Sequence, residues 1–210
     1  MLGGIDASRP GDLLLVLSVV VPLLVAVSCS TTPFTDYDRA KSLSDAGQYQ
    51  QAIVVYSRSI NLLPNDADSY LGRGYAYEKL GEYQKALSDY SQVIALKPED
   101  PQAYFVRGLL YDFLGKTDQA IQDYTTAISL KPNYADAYYE KAANLIGKAS
   151  VDQKTGATIT LPEAAVDLNK YLELAPNGPY ADSAKALLTS LGAKVESGSG
   201  KTKAGSNPKN

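Results

Sequence analysis

The 210-residue chain has no histidine and no tryptophan, and only one cysteine and one methionine. Without histidine there is no Ser-His or Cys-His nucleophile pair, no imidazole metal ligand and no ordinary general base with a pKa near neutrality. A single cysteine can form neither an internal disulfide nor a thiolate zinc site. Excess positive charge is also missing, since 20 Lys+Arg stand against 23 Asp+Glu for a net charge of −3. A nucleic-acid surface needs clustered Lys and Arg, so nucleic acid is not an expected partner. These gaps argue against an enzyme, a resident metal or a cofactor. What the chain has in quantity is Tyr (16), Gly (16) and Pro (11), in a length that suits one or two domains.

The two ends differ from the middle. Leu13 to Val27 is an uncharged apolar run broken only by Ser18 and Pro22. As a helix its fifteen residues would reach about 22 Å, short of the roughly 30 Å hydrocarbon core of a bilayer. That length suits the h-region of a signal peptide. Ala26-Val27-Ser28-Cys29 then resembles the lipobox of bacterial lipoproteins, with Ala26 where Leu is more usual, and with Asp6, Arg9 and Asp12 leaving the leading segment without net positive charge. The resemblance implies lipidation at Cys29 and an extracytoplasmic, membrane-anchored protein, since several acyl chains on one residue hold a membrane where a single chain is marginal. An uncleaved signal anchor and plain secretion are the alternatives. At the other end, AKVESGSGKTKAGSNPKN has almost no large apolar residue and is expected to remain a solvated tail.

Between the ends the chain repeats. Residues 67–100 laid over 101–134 without gaps share Tyr70/Tyr104, Arg73/Arg107, Gly74/Gly108, Tyr77/Tyr111, Leu80/Leu114, Gly81/Gly115, Ala86/Ala120, Asp89/Asp123, Tyr90/Tyr124, Ile94/Ile128, Leu96/Leu130, Lys97/Lys131 and Pro98/Pro132. A period of 34 with these residues resembles the tetratricopeptide repeat (TPR), with Tyr for Trp and Arg for Leu in its W-x2-L-G-x2-Y signature. The family resemblance implies an all-α, right-handed superhelical solenoid of helix-turn-helix pairs. Gly74 and Gly108 are expected where paired helices approach closely, Gly81 and Gly115 just past the first helix, and Pro98 and Pro132 at the end of the second. The Arg head is expected in water over a buried stem. Asp89 and Asp123 are expected on an outer face or bonded locally.

The register extends to repeats at 33–66 and 135–176. In the last of these the second helix comes ten residues late, at Ala164, Leu168 and Leu172, with Pro176 where strict spacing has Val166. The excess falls in 148–161, expected as an inserted loop or small hairpin, and Thr160-x-x-Glu163 reads as a capping box opening the next helix. Residues 179–191 are expected as a helix capping the last repeat. The chain therefore divides into a signal peptide with lipobox (1–28), a tether (29–33), a repeat domain (34–191) and a tail (192–210).

A TPR stack is a scaffold, and its family implies a groove lined by the first helix of each pair that binds peptides or partner helices. The places expected to face that groove hold Phe34, Tyr37 and Lys41; Leu71, Tyr75 and Glu78; Phe105, Leu109, Asp112 and Phe113; and Tyr139 and Ile146. The partner-binding set is Tyr37, Leu71, Tyr75, Phe105, Leu109, Phe113 and Tyr139, with packing against neighbouring helices and self-association as competing readings. Chaperone-binding TPRs carry Lys and Asn at the fifth and ninth places of the repeat to clamp a terminal carboxylate. Here the fifth places hold Tyr37, Leu71, Phe105 and Tyr139, and the clamp is missing. The expected function is a non-catalytic, membrane-tethered scaffold or adaptor for a protein or peptide partner. The alternative is an accessory subunit that stabilises or localises an envelope enzyme complex.

Overall fold

The computed structural model describes residues 33–152 and 161–192. Signal peptide, Cys29, Thr158 to Thr160 and tail lie outside the described residues. Within them the chain forms α1 (Pro33–Asp45), α2 (Tyr49–Leu62), α3 (Ala67–Lys79), α4 (Tyr83–Leu96), α5 (Pro101–Phe113), α6 (Thr117–Leu130), α7 (Ala135–Asp152), α8 (Leu161–Leu174) and α9 (Ala181–Ser190). The described residues contain no strand. Each helix packs on the next along the chain, and odd-numbered helices also meet, α1 with α3 and α5 with α7. This is an all-α helical-repeat solenoid. None of the described helices is long and apolar enough to cross a membrane.

The turns follow from the glycines. Gly81 has φ +75°, a left-handed conformation that any side chain would strain. It lets Glu82 N–H donate to the Tyr77 carbonyl at 2.9 Å while its own N–H reaches Glu78, a Schellman closure of α3. Gly47 and Gly115 close α1 and α5 by the same pair of bonds. At the opposite junctions Asp66 and Asp100 cap the next odd helix, accepting from Asp68 N–H at 3.3 Å and Gln102 N–H at 2.9 Å.

Small residues on the odd helices let tyrosines from the even helices come close. A Cβ on Gly74 would stand 2.7 Å from Tyr90 Cε1, and one on Gly108 would stand 2.7 Å from Tyr124 Cε1. Each tyrosine thus occupies the space a side chain would need, and both are buried. The last pair builds its own core from Ala142, Ala164, Leu168 and Tyr171, onto which Ala181, Ala184 and Leu188 of α9 pack.

One expectation needs correcting. The 148–161 segment is not wholly a loop, because α7 continues through Asp152. Its buried Ala149 carries the packed face beyond position 148. Glu163 pairs with Lys141 at 2.8 Å, while Thr160, the other half of the expected capping box, lies outside the described residues.

Candidate interaction face

Charge pairing, not solvent, holds the repeating Arg. Arg73 Nε and Nη2 donate to the two Asp89 oxygens at 2.8 Å each, and Arg107 does the same to Asp123. The side chains of both Asp residues are only 6% exposed, against 19% for each Arg. The expectation of a wet guanidinium is therefore overturned, and of the two readings of Asp89 and Asp123 the outer face fails. The reason lies in the partner helices: α3 carries the cation, α4 the carboxylate, and the close approach at Gly74 brings them together. Nη1 of each Arg also donates to a serine of the preceding repeat, Ser57 at 3.0 Å and Ser91 at 3.1 Å. Tyr70 and Tyr77 flank Arg73, with Tyr104 and Tyr111 flanking Arg107. In the fourth repeat Lys141 takes the same place and meets Asp167 at 3.0 Å. Burial pushes the Asp167 carboxyl up, against the lowering effect of Lys141.

The seven side chains expected to face a partner separate into two groups. The fifth-place residues are half-buried and engaged. Tyr37 tilts against Tyr56 at 6.0 Å, and Leu71 packs into two core clusters between repeats. Phe105 lies 5.8 Å from Tyr124 and 4.8 Å from Tyr134. Tyr139 stacks on Tyr180 at 4.4 Å with the planes 5° apart, covered by the capping segment.

The other three are uncovered. Tyr75 is 43% exposed, Leu109 38% and Phe113 68%. Tyr75 has Tyr49 edge-on at 6.2 Å and Lys79 Nζ 4.9 Å above its ring. Phe113 leans on Tyr83 at 5.0 Å. Leu109 and Phe113, with Glu78, Lys79, Tyr83 and Leu110, line a cleft of about 260 Å³ between the second and third repeats.

Glu78 and Lys79 give the cleft its charged lining. Tyr90 Oη donates to Glu78 at 2.8 Å. Tyr124, its counterpart one repeat on, is fully buried and its hydroxyl has no hydrogen-bond partner. Glu140 on α7 was not singled out in the sequence, having no counterpart of its own type one repeat earlier. Its carboxyl is raised by burial first, then by the charges of Asp112 and Asp136. Among the described residues no three His, Cys, Asp or Glu side chains converge as a metal-binding group.

Comparison with known proteins agrees with the repeat assignment. Tetratricopeptide-repeat models match residues 42–110 and 101–134. Curated protein sequences give no match. A crystal structure of the MamA protein is 28% identical over 69% of this chain and 74% of that chain, with a TM-score of 0.60. The first TPR of Spaghetti (RPAP3), bound to the HSP90 peptide SRMEEVD, is 26% identical over 56% of this chain and 93% of that one, with a TM-score of 0.53. The second TPR domain of human RPAP3, in complex with the HSP70 peptide SGPTIEEVD, is 31% identical over 54% of this chain and 98% of that chain, with a TM-score of 0.50. Period, glycine-closed turns and these likenesses agree: the chain is a tetratricopeptide-repeat protein, built on a protein-interaction scaffold.

Proposed function

We propose that the chain is a non-catalytic adaptor, tethered outside the cytoplasm by a lipidated Cys29, that docks an apolar or amphipathic segment of a partner protein on the face of its odd-numbered helices. The observation that carries this reading is the cleft at Leu109 and Phe113. Four of the seven expected residues pack onto neighbours, whereas Leu109 and Phe113 stay exposed beside this cleft. Exposed apolar surface of this kind, rimmed by polar groups, is where partners bind.

The two RPAP3 relatives hold peptides ending in Glu-Glu-Val-Asp. This chain favours a different ligand. Its fifth places carry aromatic or aliphatic side chains, and Glu78, Asp112 and Glu140 would repel an acidic tail. Tethering rests on the lipobox-like Ala26-Val27-Ser28-Cys29, only four residues before α1 begins at Pro33. The test is capture of cross-linked partners from membrane extracts by the wild type and by Leu109→Asp/Phe113→Asp. The exposed positions allow the double variant to keep its helicity. Loss of the captured protein supports the reading, and unchanged capture sinks it.

A further inference from the structure

α1 and α2 are joined by the Gly47 turn and pack together, and Arg58 Nε of α2 donates to the Asp36 carboxylate of α1 at 2.6 Å. Asp36 lies in the first turn of α1, and Arg58 stands one turn before Leu62 at the end of α2. The start of α1 and the end of α2 therefore share one end of the pair. Two large apolar side chains are uncovered there, Leu62 at 50% and Leu63 at 48% exposure, followed by an exposed Pro64. The next two repeats put a cation at the place of Leu63. Lys97 bonds Asp68 at 2.8 Å, and Lys131 lies 4.7 Å above the Tyr134 ring. The residue one period before Asp68 is Phe34, so in sequence register the first repeat replaces Asp68 and Lys97 with phenylalanine and leucine. Single exposed leucines are ordinary on a protein surface. A Leu-Leu-Pro tip where the next two repeats are charged is a local departure that asks for a cause.

The neighbour of this end follows from the tether. Cys29 is four residues before Pro33, and a fully extended link of that length spans at most about 14 Å. Acyl chains on Cys29 would hold the tip within that reach of a bilayer. Charge does not draw it in. Arg58 is engaged by Asp36 and Lys97 by Asp68, while Asp66 caps α3. The attraction that remains is apolar, and a short tether supplies the local concentration that two leucines alone would lack.

We propose that the Leu62–Leu63–Pro64 tip seats in the headgroup boundary of the bilayer that holds Cys29, so that the first helix pair meets the membrane by this end. The inference rests on the tether proposed above and adds the surface that touches lipid. Phe113 ends α5 beside the Gly115 turn, at the other end of the odd helices, so the Leu109–Phe113 cleft stays open to a partner.

The chain has one cysteine and no tryptophan, so an attachment point and a reporter are each unique. The form beginning at Cys29, which holds every described residue, is coupled through that thiol to a maleimide-headgroup lipid in phosphatidylcholine vesicles. Chemical coupling makes the outcome independent of lipidation in cells, which labelled palmitate tests separately. Asn65→Trp reports on the tip with its leucines intact, and Phe113→Trp reports on the far end. Both positions are exposed, and the shared ring makes tryptophan's own preference for interfaces common to the two. Coupled Asn65→Trp is expected to shift its emission to the blue and to lose intensity when the lipid is dibrominated, while coupled Phe113→Trp keeps its emission. In the Asn65→Trp background, Leu63→Lys installs the residue that the next two repeats carry and should fold with unchanged circular dichroism. It is expected to weaken both changes, and Leu62→Ser/Leu63→Lys to abolish them. A coupled Asn65→Trp that ignores the lipid overturns the contact. Quenching of Phe113→Trp as strong as that of Asn65→Trp overturns the orientation. Quenching of Asn65→Trp that survives Leu62→Ser/Leu63→Lys shows nearness to the tether alone and overturns the role of the leucines.

Discussion

Arg107 and Asp123 meet fork to fork, with Nε and Nη2 each donating at 2.8 Å to a different carboxylate oxygen. The arrangement recurs at Arg73–Asp89 and, with Lys for Arg, at Lys141–Asp167. A repeat protein is held by its intrinsic units and by the interfaces between them. This bond serves both, because its third hydrogen bond runs to Ser91 in the repeat before.

Replacing Arg107 with Leu restores the residue usual for the family yet strands a buried Asp123. The expected loss is about 3 kcal/mol, at the low end for a broken buried pair because the guanidinium is 19% exposed. Arg107→Leu with Asp123→Ala should recover most of it. Urea unfolding of the two singles and the double reads the coupling, and strictly additive losses would refute it.

Gly108 and Gly147 should respond to alanine with opposite signs. At Gly108 the new methyl would meet Tyr124 Cε1 at 2.7 Å, so a loss of about 1–3 kcal/mol is expected. At Gly147, inside α7, nothing lies within 4 Å. There alanine should stabilise by about 0.5–1 kcal/mol through helix propensity. Thermal melts of the two variants decide the matter, and a stabilised Gly108→Ala would contradict the packing described.

Tyr90→Phe should cost about 1 kcal/mol, since it breaks a bond to Glu78. Tyr124→Phe removes a hydroxyl that bonds to nothing and should leave stability unchanged or improved. Equal destabilisation of both would mean that the Tyr124 hydroxyl has a partner after all.

Stability should depend on pH through Glu140. Its carboxyl is raised, by burial first and then by Asp112 and Asp136, so the folded state prefers the protonated form. That contribution is fully present below the ordinary glutamate value of about 4.3 and is lost as the pH rises through the folded value. Glu140→Gln should therefore melt higher than the wild type at neutral pH and converge with it at acid pH. Asp167 also titrates high, but it is common to both proteins and cancels. A variant advantage that persists unchanged at acid pH would refute this account.

Labelled palmitate should enter the wild-type protein produced in a bacterial host with lipoprotein processing, and should not enter Cys29→Ala. Label in both proteins, or in neither, removes the lipid anchor from the proposed function.

The solenoid was legible because thirteen identities at one offset leave little freedom: glycine, proline and aromatic positions each have a single mechanical use in that repeat. The charge pairs were equally present in the sequence, as Arg and Asp sixteen residues apart in two repeats, but reading each residue alone sent the Arg head to solvent and left the Asp without a named partner. In the fourth repeat Lys141 and Asp167 are obscured further by a changed residue type and a shifted spacing. The interaction face was legible only in part. Leu71 and Phe105 hold places that the family resemblance assigns to the groove, yet tyrosines and aliphatic side chains from other helices cover them. Substituting these two would test packing more than binding. Which side chains stay exposed depends on what the even helices send toward them, and no single-helix pattern contains that.

The Lys141–Asp167 bond spans ten more residues of chain than its counterparts and still closes at 3.0 Å. Register between paired helices is thus set by chemistry across their interface and not by the length of the link that joins them. The α7–α8 connection is consequently a point where the molecule should absorb foreign sequence, or be cut and given new termini, with Lys141 still meeting Asp167 across the helix pair.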